Sequence, residues 1–80
     1  MSTAFSLIRT ESGKETEVLE ALLTNDHITS AFIVLGRYDI IARVQSESIE
    51  EARSILLNDI RKIPHILETM TLIVVEGKDK

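Results

Sequence analysis

A short run in the middle of the chain, Leu35-Gly-Arg-Tyr-Asp39, carries the residues best able to do chemistry. Asp39 stands beside a cation and a phenol at the start of a predicted strand, although aspartate is disfavoured in strands. One interpretation is structural, in which the carboxylate pairs with Arg37 or caps the hairpin backbone. The other is functional, in which Asp39 accepts hydrogen bonds from the ammonium group of a ligand. The residues alone leave both interpretations open.

Two hydroxyl groups on the last predicted strand, those of Thr69 and Thr71, are the other polar groups available to a small ligand. Residues two apart in a strand point to the same face, so both hydroxyls would face one side of the sheet. Threonine is common in strands, however, and the pair is equally consistent with an ordinary strand.

The sequence contains no pattern typical of a metal site or an enzyme. A metal site needs three or four converging ligands, whereas this chain has no cysteine and only His27 and His65, each predicted in a loop beside a strand. No glycine motif for phosphate binding and no spacing of serine, histidine and acid typical of nucleophilic catalysis occurs. We therefore expect no metal, no cofactor and no catalytic residue.

Hydrophobic periodicity predicts four strands and two helices in the order βαβ-βαβ. Each helix is predicted to begin at a capping box of the form S-x-x-E, Ser12 to Glu15 and Ser48 to Glu51. Pro64 is predicted to end the second helix, because proline disfavours helical geometry in the residue before it. The predicted strands cover residues 3–9, 28–35, 38–46 and 66–76.

This order of elements predicts an α+β fold of the ferredoxin-like βαββαβ type. Its single four-stranded antiparallel sheet would carry both helices on one face. The second and third strands are predicted to join through a two-residue type II′ turn at Gly36-Arg37, since glycine is typical of the first central position of that turn.

The face of the sheet without helices is predicted to be apolar. Ile8, Ile41, Ile73 and Val75 fall in the strand phase assigned to that face. An exposed apolar face of this size indicates an interface. We therefore expect two copies to pair their sheets face to face, in a dimeric α+β barrel-type assembly.

Length, charge and the first residues of the chain limit its partners. The 80 residues form one domain, and nine basic against thirteen acidic side chains give a net charge of −4. An acidic chain of this kind is not drawn to nucleic acid or to an anionic membrane by charge. The predicted sheet also lacks the aromatic residues of an RNA-binding sheet. With no long apolar run and no signal sequence, we expect a cytoplasmic protein with no direct nucleic-acid or membrane contact.

Three segments together give the chain a family resemblance. The run Ala31-Phe-Ile-Val-Leu-Gly-Arg-Tyr-Asp-Ile-Ile-Ala-Arg-Val44 resembles the G-x-Y-D signature of the Lrp/AsnC transcription regulators. The resemblance continues through Asn58-Asp-Ile-Arg-Lys-Ile-Pro64 and Thr69-Met-Thr-Leu-Ile-Val-Val75. It covers essentially the whole chain and matches the effector-binding (RAM) domain of that family. His65 departs from the pattern, since the family usually has glycine there.

The resemblance implies a function and a set of site residues. RAM domains form sheet-to-sheet dimers that assemble into rings of four or five dimers, here an octamer or a decamer, and bind free amino-acid effectors where dimers meet. The resemblance assigns ligand binding to Gly36, Tyr38 and Asp39 in the hairpin and to Thr69 and Thr71 in the last strand. Arg37 is a further candidate, as the residue that binds the effector carboxylate. The family's helix-turn-helix domain has no counterpart in these residues. We therefore expect a stand-alone RAM protein, which would act alone or by co-assembly with full-length Lrp/AsnC regulators.

Two other functions use related scaffolds. A small monooxygenase of the dimeric α+β barrel type would need a polar pocket with His, Trp or Asn inside the barrel, and this chain has no Trp and only loop histidines. An ACT-like regulatory domain has the same topology, and Gly13 could serve as its signature glycine. Gly36-x-Tyr38-Asp39 favours the RAM interpretation.

Overall fold

A computed structural model describes all 80 residues, Met1–Lys80, and confirms the predicted α+β, ferredoxin-like architecture. The sheet contains four antiparallel strands in the order β2-β3-β1-β4, so β2 and β4 form its edges. The elements in chain order are β1 (Ser2–Thr10), α1 (Glu15–Leu22), β2 (Ile28–Ile33), β3 (Ile40–Ser46), α2 (Ile49–Ser54) with a π-helical continuation (Ile55–Ile60), and β4 (Ile66–Ile73).

The face of the sheet that packs against the helices carries mostly small side chains on its two central strands. Ala4 and Ser6 on β1 and Ala42 and Ser46 on β3 are buried there. Small side chains let a helix approach the sheet closely, and larger aliphatic residues fill the spaces between them. The core comprises Ala4, Ile8, Val18, Leu22, Ile28, Ile40, Ala42, Val44, Ile55, Leu56 and Ile60.

The opposite face, which we call the open face, carries no helix and is apolar at its centre. Leu7 of β1 pairs with Ile41 of β3 and Met70 of β4, and Ile41 pairs in turn with Phe32 of β2. Cross-strand partners share a face, so these side chains form one continuous patch. Phe5 and Leu72 extend it.

The assignment of individual residues to the open face was wrong in three of four cases. Ile8 is completely buried in the core beneath the helices. Ile73 pairs with Ala4 and therefore lies on the helix side, while Val75 lies beyond the end of β4 and is 96% exposed. Only Ile41 occupies the predicted position. The prediction that the open face is apolar is correct, but apart from Ile41 other residues form it.

The two predicted capping boxes behave differently. Ser48 is the N-cap of α2, and its hydroxyl accepts a hydrogen bond from the Glu51 N–H at 3.1 Å. The first helix begins later than predicted, with Lys14 as its N-cap and no side-chain cap. Glu15 instead accepts from the Gly13 N–H at 3.1 Å, so Ser12 has no capping role.

The second helix changes its winding halfway. After Ser54 the backbone continues as a π-helix over Ile55–Ile60, which ends just before the turn that contains Pro64. The buried residues of this helix are Ala52 in the α-helical part and Ile55, Leu56 and Ile60 in the π-helical part. Ile49, the first residue of α2, is 45% exposed.

His65, at the head of β4, holds a strained backbone conformation. Its φ of 75° is the only positive φ outside glycine. Its ring bridges two acids, with Nδ1 3.3 Å from Glu11 Oε2 and Nε2 3.2 Å from Glu17 Oε2, and its carbonyl accepts from the Glu11 N–H at 2.9 Å. These contacts fix the strained turn against the start of α1.

We expect the variant His65→Ala to be less stable than His65→Gly by about 0.5–1 kcal/mol. Both variants lose the two acid contacts, but only alanine keeps the left-handed strain of about 1–2 kcal/mol, which exceeds the extra unfolded-chain entropy of glycine. Urea denaturation of the two variants measures the difference. If the alanine variant is at least as stable as the glycine variant, the backbone at position 65 is not strained and the claim is wrong.

No helix of the chain combines the length and the hydrophobicity that crossing a membrane requires.

Candidate functional site

The connection between β2 and β3 holds Gly36, Arg37, Tyr38 and Asp39, and it is longer than predicted. The last paired residues of the two strands are Ile33 and Ile40, and the Val34 N–H donates to the Asp39 carbonyl at 2.8 Å. Six residues, 34–39, therefore connect the two strands, and the predicted two-residue type II′ turn is wrong. Gly36 has a φ of 149°, which other residues rarely adopt, so the loop requires glycine at this position.

Asp39 is fixed to the end of β1 by both its backbone and its side chain. Its N–H donates to the Ile8 carbonyl at 2.9 Å, and its Oδ2 accepts from the Thr10 N–H at 2.8 Å. These bonds hold Asp39 against β1, on the side of β3 away from β2. The carboxylate thus caps a backbone donor, as one interpretation predicted, through β1 and not through the hairpin itself. One oxygen, Oδ1, remains available to another donor.

The two side chains between Gly36 and Asp39 have different surroundings. Arg37 is exposed and takes part in none of the chain's ion pairs, so the predicted Arg37–Asp39 pair is absent. The Tyr38 hydroxyl lies 3.9 Å from the Met70 sulfur, on the open face. Tyr38 therefore links the loop to β4 across the end of β1.

Thr69 and Thr71 lie on the helix side of β4, because they pair with the buried residues Ile8 and Ser6 of β1. Each threonine lines a different depression beside the second helix. The depression at Thr71 has a volume of about 320 Å³ and mostly apolar walls, with Arg53 as its one charged side chain. The depression at Thr69 has a volume of about 330 Å³ and contains Arg61 and Glu68.

The structure thus divides the predicted site residues into two groups. The loop contacts β4 through Tyr38 on the open face, whereas Thr69 and Thr71 open towards the helix side. No single depression in the chain is lined by both Asp39 and either threonine.

Besides Thr71, four side chains line the first of these depressions, and the sequence analysis singled out none of them as site residues. They are Arg53, Leu56, Leu57 and Ile73. The sequence analysis assigned no role to Arg53 or Leu57. Arg53, Leu56 and Leu57 are three and four residues apart, as residues on one side of a helix are. Their position beside Thr71 depends on how the helix packs against β4, and the sequence has no local signal for that packing.

No group of three or more His, Cys, Asp or Glu side chains is arranged to hold a metal ion. The two histidines instead contact glutamates: His27 Nδ1 lies 3.8 Å from Glu51 Oε1, and His65 bridges Glu11 and Glu17. Because each ring nitrogen of His65 faces a different acid, these side chains do not converge on one point.

Comparison with known proteins identifies relatives across the whole chain. A family model described as the Lrp/AsnC ligand binding domain matches residues 3–79. The HTH-type transcriptional regulator FL11 of Pyrococcus abyssi (strain GE5 / Orsay) is 33% identical over 73 residues, which are 91% of this chain and 48% of the regulator. The chain spans about half the length of the curated relatives it matches.

Solved structures agree with this match. The crystal structure of FFRP-DM1 is 39% identical, with a TM-score of 0.89, and the comparison covers 94% of this chain and all of that one. AsnC of E. coli is 30% identical, with a TM-score of 0.90 over 99% of this chain and 54% of AsnC. These matches favour the RAM interpretation over the ACT-like and monooxygenase alternatives.

Proposed function

Because the chain belongs to the Lrp/AsnC ligand binding domain family, we propose that it is a non-enzymatic regulatory module that binds a free amino acid. Binding would regulate transcription or amino-acid metabolism through the assembly of several copies. Its ligand groups would be Gly36, Arg37, Tyr38 and Asp39 in the loop, with Thr69 and Thr71 on β4.

The position of the Asp39 carboxylate is the observation that most supports this proposal. Its backbone and Oδ2 are fixed by β1, so the carboxylate is held in one orientation before any ligand arrives. An amino acid carries an α-ammonium, and a carboxylate held in place is its strongest neutral-pH hydrogen-bond acceptor. Gly36 would let the ligand approach the loop backbone closely, because it has no side chain to block the approach.

The division of the site residues between two faces supports a site shared by two copies. The loop of one copy would bring Asp39 to the helix side of β4 in another copy, where Thr69 and Thr71 lie. Such contacts between unlike surfaces generate closed rings when the rotation allows it. We propose a ring of sheet-paired dimers, an octamer or a decamer, in which the loop of one dimer meets β4 of the next.

The apolar open face supports the sheet-paired dimer within such a ring. Phe32, Met70 and Leu72 are each about half exposed in the single chain, at 59%, 46% and 49%. A continuous apolar patch of this kind on a small domain is typical of a protein–protein interface. Pairing two open faces would remove it from water.

The proposed action on transcription runs through full-length regulators of the family. Relatives such as FL11 are HTH-type transcriptional regulators about twice as long as this chain. This acidic chain would influence transcription by co-assembling with such regulators in the cytoplasm, while the partner supplies the contacts to DNA.

A thermal-shift screen of the wild-type chain against the twenty amino acids tests the proposal. A ligand present at 100 times its dissociation constant stabilises the folded state by about 2.7 kcal/mol, which raises the melting temperature of a domain of this size by several degrees. We expect at least one amino acid to produce such a shift at millimolar concentration. No shift with any of the twenty would contradict amino-acid binding.

A further inference from the structure

The groove between the second helix and β4 combines one cation, one hydroxyl and three apolar side chains. It is lined by Arg53, Leu56, Leu57, Thr71 and Ile73, and its volume is about 320 Å³. Small-molecule sites typically measure roughly 300–1,000 Å³, so this groove has room for one small ligand. Neither the sequence pattern nor the family signature assigned a role to Arg53.

Arg53 has no acidic partner within the chain. It takes part in none of the ion pairs, although Glu50 and Glu51 lie close to it in sequence. A guanidinium carries paired N–H donors that match the two oxygens of a carboxylate. The Thr71 hydroxyl lines the same groove and can donate a further hydrogen bond. The polar part of the groove therefore suits a carboxylate.

The remaining walls suit an aliphatic group. Leu57 is 51% exposed and Ile73 36% exposed, while Leu56 forms a nearly buried floor. A ligand with an aliphatic side chain would remove this apolar surface from water, which is favourable. A charged ligand side chain would lose hydration against these apolar walls without gaining a partner of opposite charge.

The groove offers no carboxylate to pair with an ammonium group. None of its five lining residues carries a carboxylate, and Asp39 of the same chain is not among them. An amino acid held here by its carboxylate would leave its ammonium unpaired in a single chain. Asp39 from a second copy supplies the missing carboxylate, as the shared site requires.

We infer that Arg53 binds the α-carboxylate of an aliphatic L-amino acid whose side chain packs on Leu56, Leu57 and Ile73. The inference rests on the proposed function and specifies it, because it names the carboxylate anchor and the class of amino acid. It gives Arg53 the role for which Arg37 was the candidate from the family resemblance. Arg37 lines none of the depressions in the chain.

Calorimetric titration with L-leucine, L-lysine and L-glutamate tests the inference on the wild type and on Arg53→Gln. We expect the wild type to bind L-leucine at least tenfold more tightly than the two charged amino acids. Arg53→Gln should weaken L-leucine binding by roughly tenfold or more, since a charge-assisted hydrogen bond is lost. Its melting temperature without ligand should match the wild type, because Arg53 has no ion pair to lose.

Two matched variants separate this role from general charge effects. Lys62→Gln removes an exposed cation that also forms no ion pair, and it should leave L-leucine binding unchanged. Arg61→Gln removes the cation of the neighbouring depression at Thr69. A loss of binding in Arg61→Gln with none in Arg53→Gln would overturn the inference and assign the carboxylate to that depression.

The remaining outcomes separate failure of the inference from failure of the proposed function. Unchanged L-leucine affinity in Arg53→Gln overturns the inference while amino-acid binding stands. Tighter binding of L-lysine or L-glutamate than of L-leucine overturns the preference for aliphatic ligands. If the wild type binds none of the twenty amino acids, the proposed function fails and the inference fails with it.

Discussion

Ile41→Asp is expected to convert a sheet-paired dimer into a monomer or to prevent folding. Ile41 lies at the centre of the open face, between Leu7 and Phe32. In a dimer the new carboxylate would be buried against the partner's apolar face without a counter-ion, at a cost of about 3–5 kcal/mol per copy. Light scattering at micromolar concentration should show at least a dimer for the wild type and 9.0 kDa for a folded variant.

Two further variants keep this test decisive if Ile41→Asp fails to fold. Phe32→Asp changes a side chain that is 59% exposed in the single chain, so the monomer should still fold while the dimer is lost. Leu23→Asp changes a side chain of similar exposure, 49%, at the end of α1 and should leave the dimer intact. A wild-type chain that is monodisperse at 9.0 kDa would rule out the sheet-paired dimer.

Asp39→Asn is expected to lower the affinity for the amino-acid effector by roughly tenfold or more. The substitution keeps the shape of the side chain but removes the charge, and a charge-assisted hydrogen bond contributes about 1.5–3 kcal/mol. The asparagine side-chain oxygen can still accept from the Thr10 N–H, so the melting temperature without ligand should change little. Calorimetry with the strongest ligand from the thermal-shift screen measures the change.

Asp26→Asn provides the matched control for this comparison. Asp26 is an exposed acid in the turn after α1 and lies outside the candidate site. The control variant should bind the effector as the wild type does, because the same unit of charge is removed elsewhere. If Asp39→Asn also binds with unchanged affinity, Asp39 serves only to cap the end of β1.

The order of elements followed from the sequence because each signal was local. Periodicity, the capping serine at Ser48 and the stop at Pro64 act within a few residues of the structure they determine. The assignment of the β1 faces failed because it depends on distant partners. Phe5 and Leu7 look like core residues by size, yet the helices pack over the smaller Ala4 and Ser6.

The candidate site was predictable in its residues but not in its arrangement. The loop that begins at Gly36 stands out because glycine and aspartate are unusual inside an apolar run. The bonds from Asp39 to β1 join residues far apart in the chain, and local turn preferences do not reveal them. Arg53 was missed because its place beside Thr71 depends on the packing of the second helix against the neighbouring edge strand.

A calorimetric titration of the wild-type chain tests the central claim, that it binds an amino acid through both its ammonium and its carboxylate. The ligand is the amino acid with the largest thermal shift, and the comparison is the same carboxylic acid without its amino group. The account predicts saturable binding of the amino acid and at least tenfold weaker binding of the analogue, because only the amino acid can pair with Asp39. No saturable heat, or equal affinities for the two compounds, would contradict it.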